Sequence, residues 1–155
     1  MSGKSAPFAH RNLPLLLLQA RERVLARFRP LLNANGLTEQ QWRILRGLYE
    51  AGPLEPREIG RHFQISSPSL TGVLARMDEL GLVKRERMEH DQRRQLVSLT
   101  PRSRALIARM VPRIEARYRE LQAELGVPVT RELYALLDQV VAALGSEQAA
   151  ESEQT

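Results

Sequence analysis

The positions of proline and glycine divide this chain into short segments and constrain its fold more than any other feature. Gly52-Pro53 and Gly81 follow helical patterns, while Pro56, Pro68 and Pro101 each stand where the first turn of a new helix is expected. Proline fits that turn because its missing N–H has no partner inside the helix in any case. The spacing therefore predicts mostly short helices joined by brief loops.

Apolar spacing and capping residues set the expected limits of each helix. Thr38 and Gln41 form a capping-box pattern, Thr100-Pro101 is a cap followed by proline, and Thr130 is a candidate cap for the last helix. Pro30 is expected to bend or end the first helix, and Pro112 to kink the fifth. The predicted helices are Leu13–Leu32, Thr38 to Gly52, Pro56–Phe63, Ser66 or Ser67 to Gly81, Thr100 to about Leu125, and a last helix from Thr130.

The periodicity changes after Gly81. A charged stretch, KRERMEHDQRR at 84–94, separates Leu82-Val83 from the apolar-rich run Leu96–Leu99. This pattern predicts a two-stranded hairpin with a basic, polar tip. Two short helices with a brief join resemble a helix-turn-helix, and a hairpin directly after it is a wing. The predicted fold is mainly α with a small β-wing.

Composition excludes several function classes. The 155 residues suit one domain, and the absence of cysteine removes disulfides, thiolate metal sites and cysteine nucleophiles. His10, His62 and His90 are too far apart in sequence for a local metal pattern, so no metal site is expected. The sequence has no Ser/His/Asp grouping, glycine-rich phosphate loop or paired-carboxylate motif, so no cofactor or catalytic group is expected. The longest apolar run, Leu15–Leu18, is far shorter than the roughly 20 residues of a spanning helix. A cytoplasmic protein without enzyme activity is expected.

The outward face of the helix after Ser66 carries small and hydroxylated residues. Such a face lets a helix lie close in a DNA major groove, where hydroxyls and first-turn amides hold phosphates and longer side chains reach base edges. The alternative is an ordinary solvated face, although serine and threonine are weak helix formers. The candidate DNA-binding residues on this face are Ser66, Ser67, Ser69, Thr71, Gly72 and Arg76.

The predicted wing adds a second candidate contact. Arg93 and Arg94 stand near its tip, and Asp91 lies two residues before Arg93. A guanidinium on a thin hairpin fits a narrow, electronegative minor groove, and a charged hydrogen bond from Arg93 to the carboxylate of Asp91 would hold Arg93 in place. The alternative is a polar turn with surface ion pairs of about 0–1 kcal/mol each. The charge alone is weak evidence, so the order of the motifs carries the prediction.

This order of elements resembles the MarR family of bacterial transcription regulators over about residues 10–145. The stretches that carry the resemblance are LTEQQWRILRGL at 37–48, SSPSLTGVLARMDELGLVKR at 66–85 and DQRRQLVSLT at 91–100. Asp91 and Arg93 fall where the family has its wing Asp-x-Arg. Within the family, the chain is most similar to regulators of homoprotocatechuate (4-hydroxyphenylacetate) degradation operons, on the stretches LPLLLLQARERVLARFRPLLN, LTEQQWRIL and ISSPSLTGVLARM. Three departures are Glu55, where a serine or threonine cap is common, Gly60, where alanine is usual, and Pro112, which bends a helix that serves dimerisation in the family.

The resemblance implies a homodimeric repressor of an aromatic catabolic operon, bound to double-stranded palindromic operator DNA. It implies an N-terminal arm and dimerisation helix at 1–37, a winged helix-turn-helix at 38–100, dimerisation helices at 101–145 and a flexible tail at 146–155. The last helix agrees, because it has more apolar surface than one small domain covers. The apolar residues expected to face inwards are Leu133, Leu136, Leu137, Val140, Val141 and Leu144.

The family's effector pockets, which commonly take phenolic or aromatic carboxylates, lie between the dimer helices and the winged domain. Arg43 is a candidate carboxylate fork and Trp42 an aromatic wall, with His10 and Arg11 contributed by the partner subunit. The alternative is that Arg43 pairs with acidic neighbours one helical turn away and that Trp42 belongs to the core.

Two other function classes remain open at this point. With a net charge of +5, a nonspecific architectural DNA-binding protein is possible, and salt would then govern its affinity with little sequence preference. A winged helix that contacts only proteins is the third reading. The predicted recognition helix carries one basic residue, Arg76, which favours base readout over charge attraction alone.

Overall fold

The computed structural model describes residues 7–152, with side chains described for residues 7–145. It confirms a mainly helical chain with one two-stranded antiparallel hairpin. The elements are α1 (Leu13–Ala26), α2 (Arg29–Ala34), α3 (Glu39–Ala51), α4 (Pro56–Phe63), α5 (Ser67–Glu79), β1 (Val83–Met88), β2 (Asp91–Leu99), α6 (Pro101–Leu125) and α7 (Val127–Ser152).

Helix limits set by local signals agree with the prediction. The Thr38 hydroxyl accepts a hydrogen bond from the Gln41 N–H at 3.1 Å, and the Gln41 side chain accepts one from the Thr38 N–H at 3.0 Å. This reciprocal capping box starts α3 at the next residue. Gly52 ends α3 with a φ of 82°, a left-handed conformation that favours glycine.

The predicted first helix is wrong as one piece. The structure has two helices, α1 and α2, separated at Arg27 and Phe28, and Pro30 is the second residue of α2. Proline supplies no N–H to the carbonyl four residues earlier, and its ring collides with that carbonyl in a continuous helix. After the break, Phe28, Leu31 and Leu32 are buried in the core, whereas α1 has no buried residue.

The hairpin contains an irregularity that the sequence did not indicate. Val83 pairs with Leu99 and the register continues to Arg87 and Gln95, but Met88 then pairs with Asp91. Residues 92–94 therefore form a bulge in β2 near the tip. At the base of the hairpin, Leu54 and Val97 exchange backbone hydrogen bonds of 3.1 and 2.8 Å, so the loop before α4 adds a one-residue third strand.

The chain divides between Ile114 and Glu115 into two compact units. In the first unit, side chains from α2 to α6 and both strands form one core. Its most completely buried apolar residues are Leu32, Ile44, Leu45, Leu48, Ile59, Met77, Val83, Val97 and Met110. The predicted boundaries at residues 37 and 100 fall in the loops before α3 and α6.

The start of α6 is joined to the end of α5. The Thr100 hydroxyl accepts from the Ser103 N–H at 3.2 Å and donates to the Gly81 carbonyl at 2.6 Å. Arg102 donates from Nη1 to the Leu80 carbonyl at 2.8 Å. Thr100 is therefore both the predicted cap of α6 and a tie to the C-terminal end of α5.

Replacing Thr100 by valine is expected to lower the free energy of unfolding by about 1–2 kcal/mol, because the isosteric side chain loses the cap and leaves the Gly81 carbonyl without its donor. Thr100→Ser keeps the hydroxyl and is the matched control, with a change below about 0.5 kcal/mol. Urea unfolding at one fixed protein concentration measures both variants. Equal losses in the two would contradict the role of the hydroxyl.

The second unit holds the rest of α6 and α7. The chain breaks at Gly126, whose φ is 89°, and α7 begins at Val127, so Thr130 is not its cap as predicted. Thr130 lies inside the first turn and donates its hydroxyl to the Gly126 carbonyl at 2.8 Å. Pro112 lies inside α6, and the kink predicted at this residue stays a prediction. Of the predicted tail, residues 146–152 continue α7, and 153–155 lie outside the described residues.

The apolar residues of α7 are not buried within this chain, contrary to the inward orientation predicted for them. Their exposure ranges from 39% at Leu133 and Leu137 to 72% at Val141. The four leucines from Leu15 to Leu18 on α1 are also 41–54% exposed. Each helix by itself therefore presents a large apolar surface that one chain leaves uncovered. Within the described residues, no helix is long and apolar enough to cross a membrane.

Candidate nucleic-acid interface

The outward face of α5 remains open. Ser66, Ser67, Ser69, Thr71 and Gly72 are exposed. The Ser66 hydroxyl donates to Ser69 Oγ at 3.0 Å, and the Thr71 hydroxyl donates to the Ser67 carbonyl at 3.2 Å. Ser66 precedes α5 as its cap residue but makes no side-chain bond to a helix amide. The first-turn amides therefore have no side-chain cap from Ser66.

The middle of this face has no bulk. A Cβ placed on Gly72 would meet no atom within 4 Å, so space above the helix is free at this point. Arg76, one turn further on, is exposed and pairs with Glu79 across 3.2 Å. An exposed ion pair made by a single hydrogen bond, as this one is, contributes about 0–1 kcal/mol, so Arg76 can leave Glu79 for another partner at little cost.

The turn between α4 and α5 is held by residues from α3 and α4. Gln64 has a φ of 56°, the left-handed conformation that ends a helix. Arg43 Nη1 donates to the carbonyls of Phe63 and Gln64, both at 3.0 Å. A Cβ on Gly60 would lie 3.0 Å from the Ile65 carbonyl oxygen, so glycine at this position allows the two chain segments to approach closely.

Arg43, predicted to bind an effector, thus supports the turn. Its Nε and Nη2 donate to the two carboxylate oxygens of Glu39 at 3.0 and 2.6 Å. Partial burial raises the pKa of Glu39, but the hydrogen bonds and charges of Arg43 and Arg21 outweigh it and leave the pKa below its ordinary value. With four of its five N–H groups engaged, Arg43 retains one for a ligand.

The other predicted effector residues are placed separately. His10 and Arg11 are exposed just before α1, and Trp42 is partly buried on α3. Their role as effector contacts stays a prediction, as does that of Arg43.

A small cleft of about 180 Å³ lies between α4, α5 and the hairpin. Ligand pockets commonly measure about 300–1,000 Å³, so the volume of this cleft is smaller than that of most ligand pockets. On its margin Arg85 donates to Asp78 at 2.9 Å and ties β1 to α5. The lining residues are Pro56, Arg57, Ser67, Leu70, Thr71, Leu74, Arg85 and Gln95.

The tip of the wing is ordered by its backbone. Asp91 Oδ1 accepts a hydrogen bond from the Arg93 backbone N–H at 2.9 Å, and Arg87 Nη1 donates to the Gln92 carbonyl. The predicted contact between Asp91 and the Arg93 side chain is therefore replaced by a turn of the main chain. Within the part of the chain that the structure describes, the Arg93 guanidinium has no hydrogen bond or ion pair.

Arg94, the next residue, has a partner far away in the sequence. Its guanidinium donates two hydrogen bonds to the carboxylate of Glu55, Nε to Oε1 at 2.7 Å and Nη2 to Oε2 at 2.6 Å. These two hydrogen bonds hold the pKa of Glu55 below its ordinary value and raise the pKa of Arg94 above its ordinary value. The sequence did not predict that Glu55 pairs with Arg94. Its only sign was an acidic residue at a position where a serine or threonine cap is common.

Two short helices with a rigid turn, an open helical face and a cationic hairpin define the winged helix-turn-helix class. The sequence also matches the MarR family model over residues 35–94. It is 40% identical to the homoprotocatechuate degradative operon repressor of Escherichia coli over 139 residues, which are 90% of this chain and 94% of that protein. The chain therefore belongs to the MarR family of transcriptional regulators and not to a class of enzymes.

Two solved structures of regulators are similar to it along most of the chain. The structure of NadR in complex with 4-hydroxyphenylacetate has a TM-score of 0.75 and 37% identity, and the match covers 90% of this chain and 96% of that one. The transcriptional repressor CouR, bound to a 23-mer DNA duplex, has a TM-score of 0.76 and 26% identity, with 83% and 92% covered.

Proposed function

We propose that this regulator is a homodimeric, sequence-specific repressor of an aromatic-compound catabolic operon in the cytoplasm, released from a palindromic operator by a small aromatic acid. The observation that carries the DNA-binding part is the exposed Arg93 guanidinium, without a partner among the described residues, on a wing next to the open face of α5. The kind of operon and of ligand follows from the relatives, one of which is the homoprotocatechuate operon repressor.

DNA contact divides between two elements. α5 enters the major groove, where Ser66, Ser67 and Ser69 approach phosphates and Thr71 and Arg76 reach base edges, while Gly72 allows close approach. The wing carries Arg93 to the adjacent minor groove, and the Asp91 turn fixes its backbone. The comparison that supports this arrangement is the CouR structure with its DNA duplex.

A second copy of the chain accounts for the uncovered apolar helices. Large exposed apolar patches mark interaction surfaces. The exposed apolar side chains of α1 and α7 form such patches. Two-fold symmetry then requires a pseudo-palindromic operator with half-sites roughly 34–36 Å apart.

The effector contacts residues just before α1 and residues of α3. His10 and Arg11 have exposed side chains that are open to an anionic ligand, and Trp42 offers an aromatic surface. Arg43 contributes its one remaining N–H and positions the α4–α5 turn. For release, the ligand has to bind the conformer with the wrong recognition-helix spacing more tightly than the DNA-bound one.

Footprinting on the promoter of the regulator's own gene tests this function. The expected result is one protected, pseudo-palindromic segment that disappears on addition of 4-hydroxyphenylacetate, homoprotocatechuate or a related hydroxylated acid. Protection that no acid removes would discard the ligand and keep the regulator. Even, sequence-independent protection at the same salt would instead favour an architectural DNA-binding protein.

A further inference from the structure

The Glu55–Arg94 ion pair joins the wing to the start of α4. Both guanidinium bonds reach the carboxylate in the parallel, two-point geometry that arginine makes best. Arg94 lies in the bulge of β2, and Glu55 directly precedes α4. The side chain of Glu55 is 23% exposed and that of Arg94 is 54% exposed. The pair therefore sits on the surface, next to the elements that approach DNA.

The backbone brings the two residues together. Leu54 and Val97 exchange two hydrogen bonds, which align the loop before α4 with β2. Glu55 follows Leu54, and the ion pair ties the same loop to Arg94, three residues from Val97 and inside the bulge of the wing. The wing is thus attached to the helix-turn-helix at two points, one made by the backbone and one by charge.

Neighbouring arginines on the wing consequently differ. Arg94 is engaged by Glu55, whereas the guanidinium of Arg93 has no partner within the described residues. Both are exposed and both carry the same charge. The difference between them comes from Glu55.

We infer that Glu55 is a specificity-determining residue, which holds Arg94 on the protein so that Arg93 alone of the two meets the DNA. This inference rests on the proposed function and changes one part of the sequence prediction, in which Arg94 itself contacts DNA. An engaged guanidinium adds nothing to phosphate neutralisation, which is the part of the affinity that does not depend on sequence. Glu55 therefore lowers nonspecific binding and fixes the wing for specific binding.

Counterion release gives this inference a measurable signature. Each phosphate that a protein cation neutralises contributes about −0.9 to the slope of log affinity against log salt. One added contact therefore raises the affinity about 8-fold for each tenfold fall in salt. Releasing Arg94 should steepen the slope by about 0.9 for each wing on the DNA.

The experiment measures salt slopes for the full-length chain with promoter DNA and with scrambled DNA of the same length. Glu55→Gln is expected to steepen the slope on scrambled DNA and to reduce the ratio of promoter to scrambled affinity. Arg94→Gln by itself should leave the slope as in the wild type. Adding Arg94→Gln to Glu55→Gln should remove the gain.

A matched control removes the same charge elsewhere. Glu120→Gln breaks an exposed pair with Arg117, which spans 3.1 Å on α6, and should leave both slopes unchanged. Unfolding curves for each variant establish that the protein is folded. Glu55→Asp is a second variant at the same position. Aspartate keeps the charge but is one methylene too short for both bonds, so it should steepen the slope less than glutamine.

Two results with the variants would overturn the inference alone. A shallower slope for Arg94→Gln alone would show that Arg94 already contacts phosphate in the wild type. Unchanged slopes for Glu55→Gln would show that the pair has no effect on DNA binding. Equal wild-type affinity for both DNAs would defeat the proposed function instead, and the variant slopes on scrambled DNA would still decide the role of Glu55. A wild type that binds neither DNA would overturn both.

Discussion

Arg93→Ala is expected to weaken binding to the promoter about 100-fold, because each arginine contact of this kind contributes about 1–3 kcal/mol and the proposed dimer would place two wings on one operator. Its guanidinium has no competing partner among the described residues, so its cost of transfer to DNA is small. The fold should be unaffected, since the side chain is exposed. Fluorescence anisotropy with labelled promoter DNA at fixed salt measures the change.

Two variants separate the contact from the charge. Arg113→Ala removes an exposed arginine further along α6 and should change the affinity less than about 2-fold, as expected for a charge away from the DNA. Arg93→Lys keeps the charge but loses the planar, forked guanidinium, so its affinity should lie between the wild type and alanine. Arg93→Ala with wild-type affinity would remove the wing from the account.

The second large effect concerns the packing of α3 against α4. Gly47→Ala is expected to reduce the free energy of unfolding by about 2 kcal/mol, the usual cost of forcing a group into a filled core. A Cβ on Gly47 would meet three ring atoms of Phe63, of which the nearest is Cζ. The ring would have to leave its place beside α3, at the end of α4 where the turn to α5 begins. Urea unfolding at fixed protein concentration measures the loss.

A double-mutant cycle identifies the cause. In a Phe63→Ala background the clash is absent, so Gly47→Ala should cost much less than in the wild type. Gly72→Ala is the matched control on α5, where the new methyl group meets nothing within 4 Å, and it should stabilise the helix by about 0.5–1 kcal/mol. A stabilising Gly47→Ala would mean that this close approach does not exist in solution.

The features predicted correctly depend on residues close together in the sequence. The Thr38–Gln41 capping box spans three positions, and α4 has the predicted limits, Pro56–Phe63, because proline starts it within the same segment. The exposed face of α5 follows from helical periodicity alone. In each case the physical cause lies within one or two turns, so the sequence contains it.

The missed features depend on contacts between distant segments. Arg43 binds carbonyls about 20 positions away, and Arg94 binds Glu55 39 positions away. Helical spacing favoured only the local Arg43–Glu39 pair, which is present as well. Nothing in the order of residues brings Leu54 beside Val97, since that bridge forms only when the wing folds back.

Burial on α7 was mispredicted for a related reason. Its periodic leucines and valines do form one apolar pattern, but periodicity does not say whether the same chain or another covers it. The side chains are exposed in the single chain. The pattern was therefore wrong as a core of this chain, and its role as an interaction surface stays a prediction.

The most direct test of the central claim is the ratio of the dissociation constants for promoter DNA and scrambled DNA, measured by titration of the wild-type protein at one fixed, near-physiological salt concentration. A sequence-specific regulator with the interface described here should bind the promoter at least about 1,000-fold more tightly, as specific DNA-binding proteins typically do. A ratio near one would contradict this interpretation, because the protein would then bind DNA through charge alone and neither the face of α5 nor Arg93 would read the sequence.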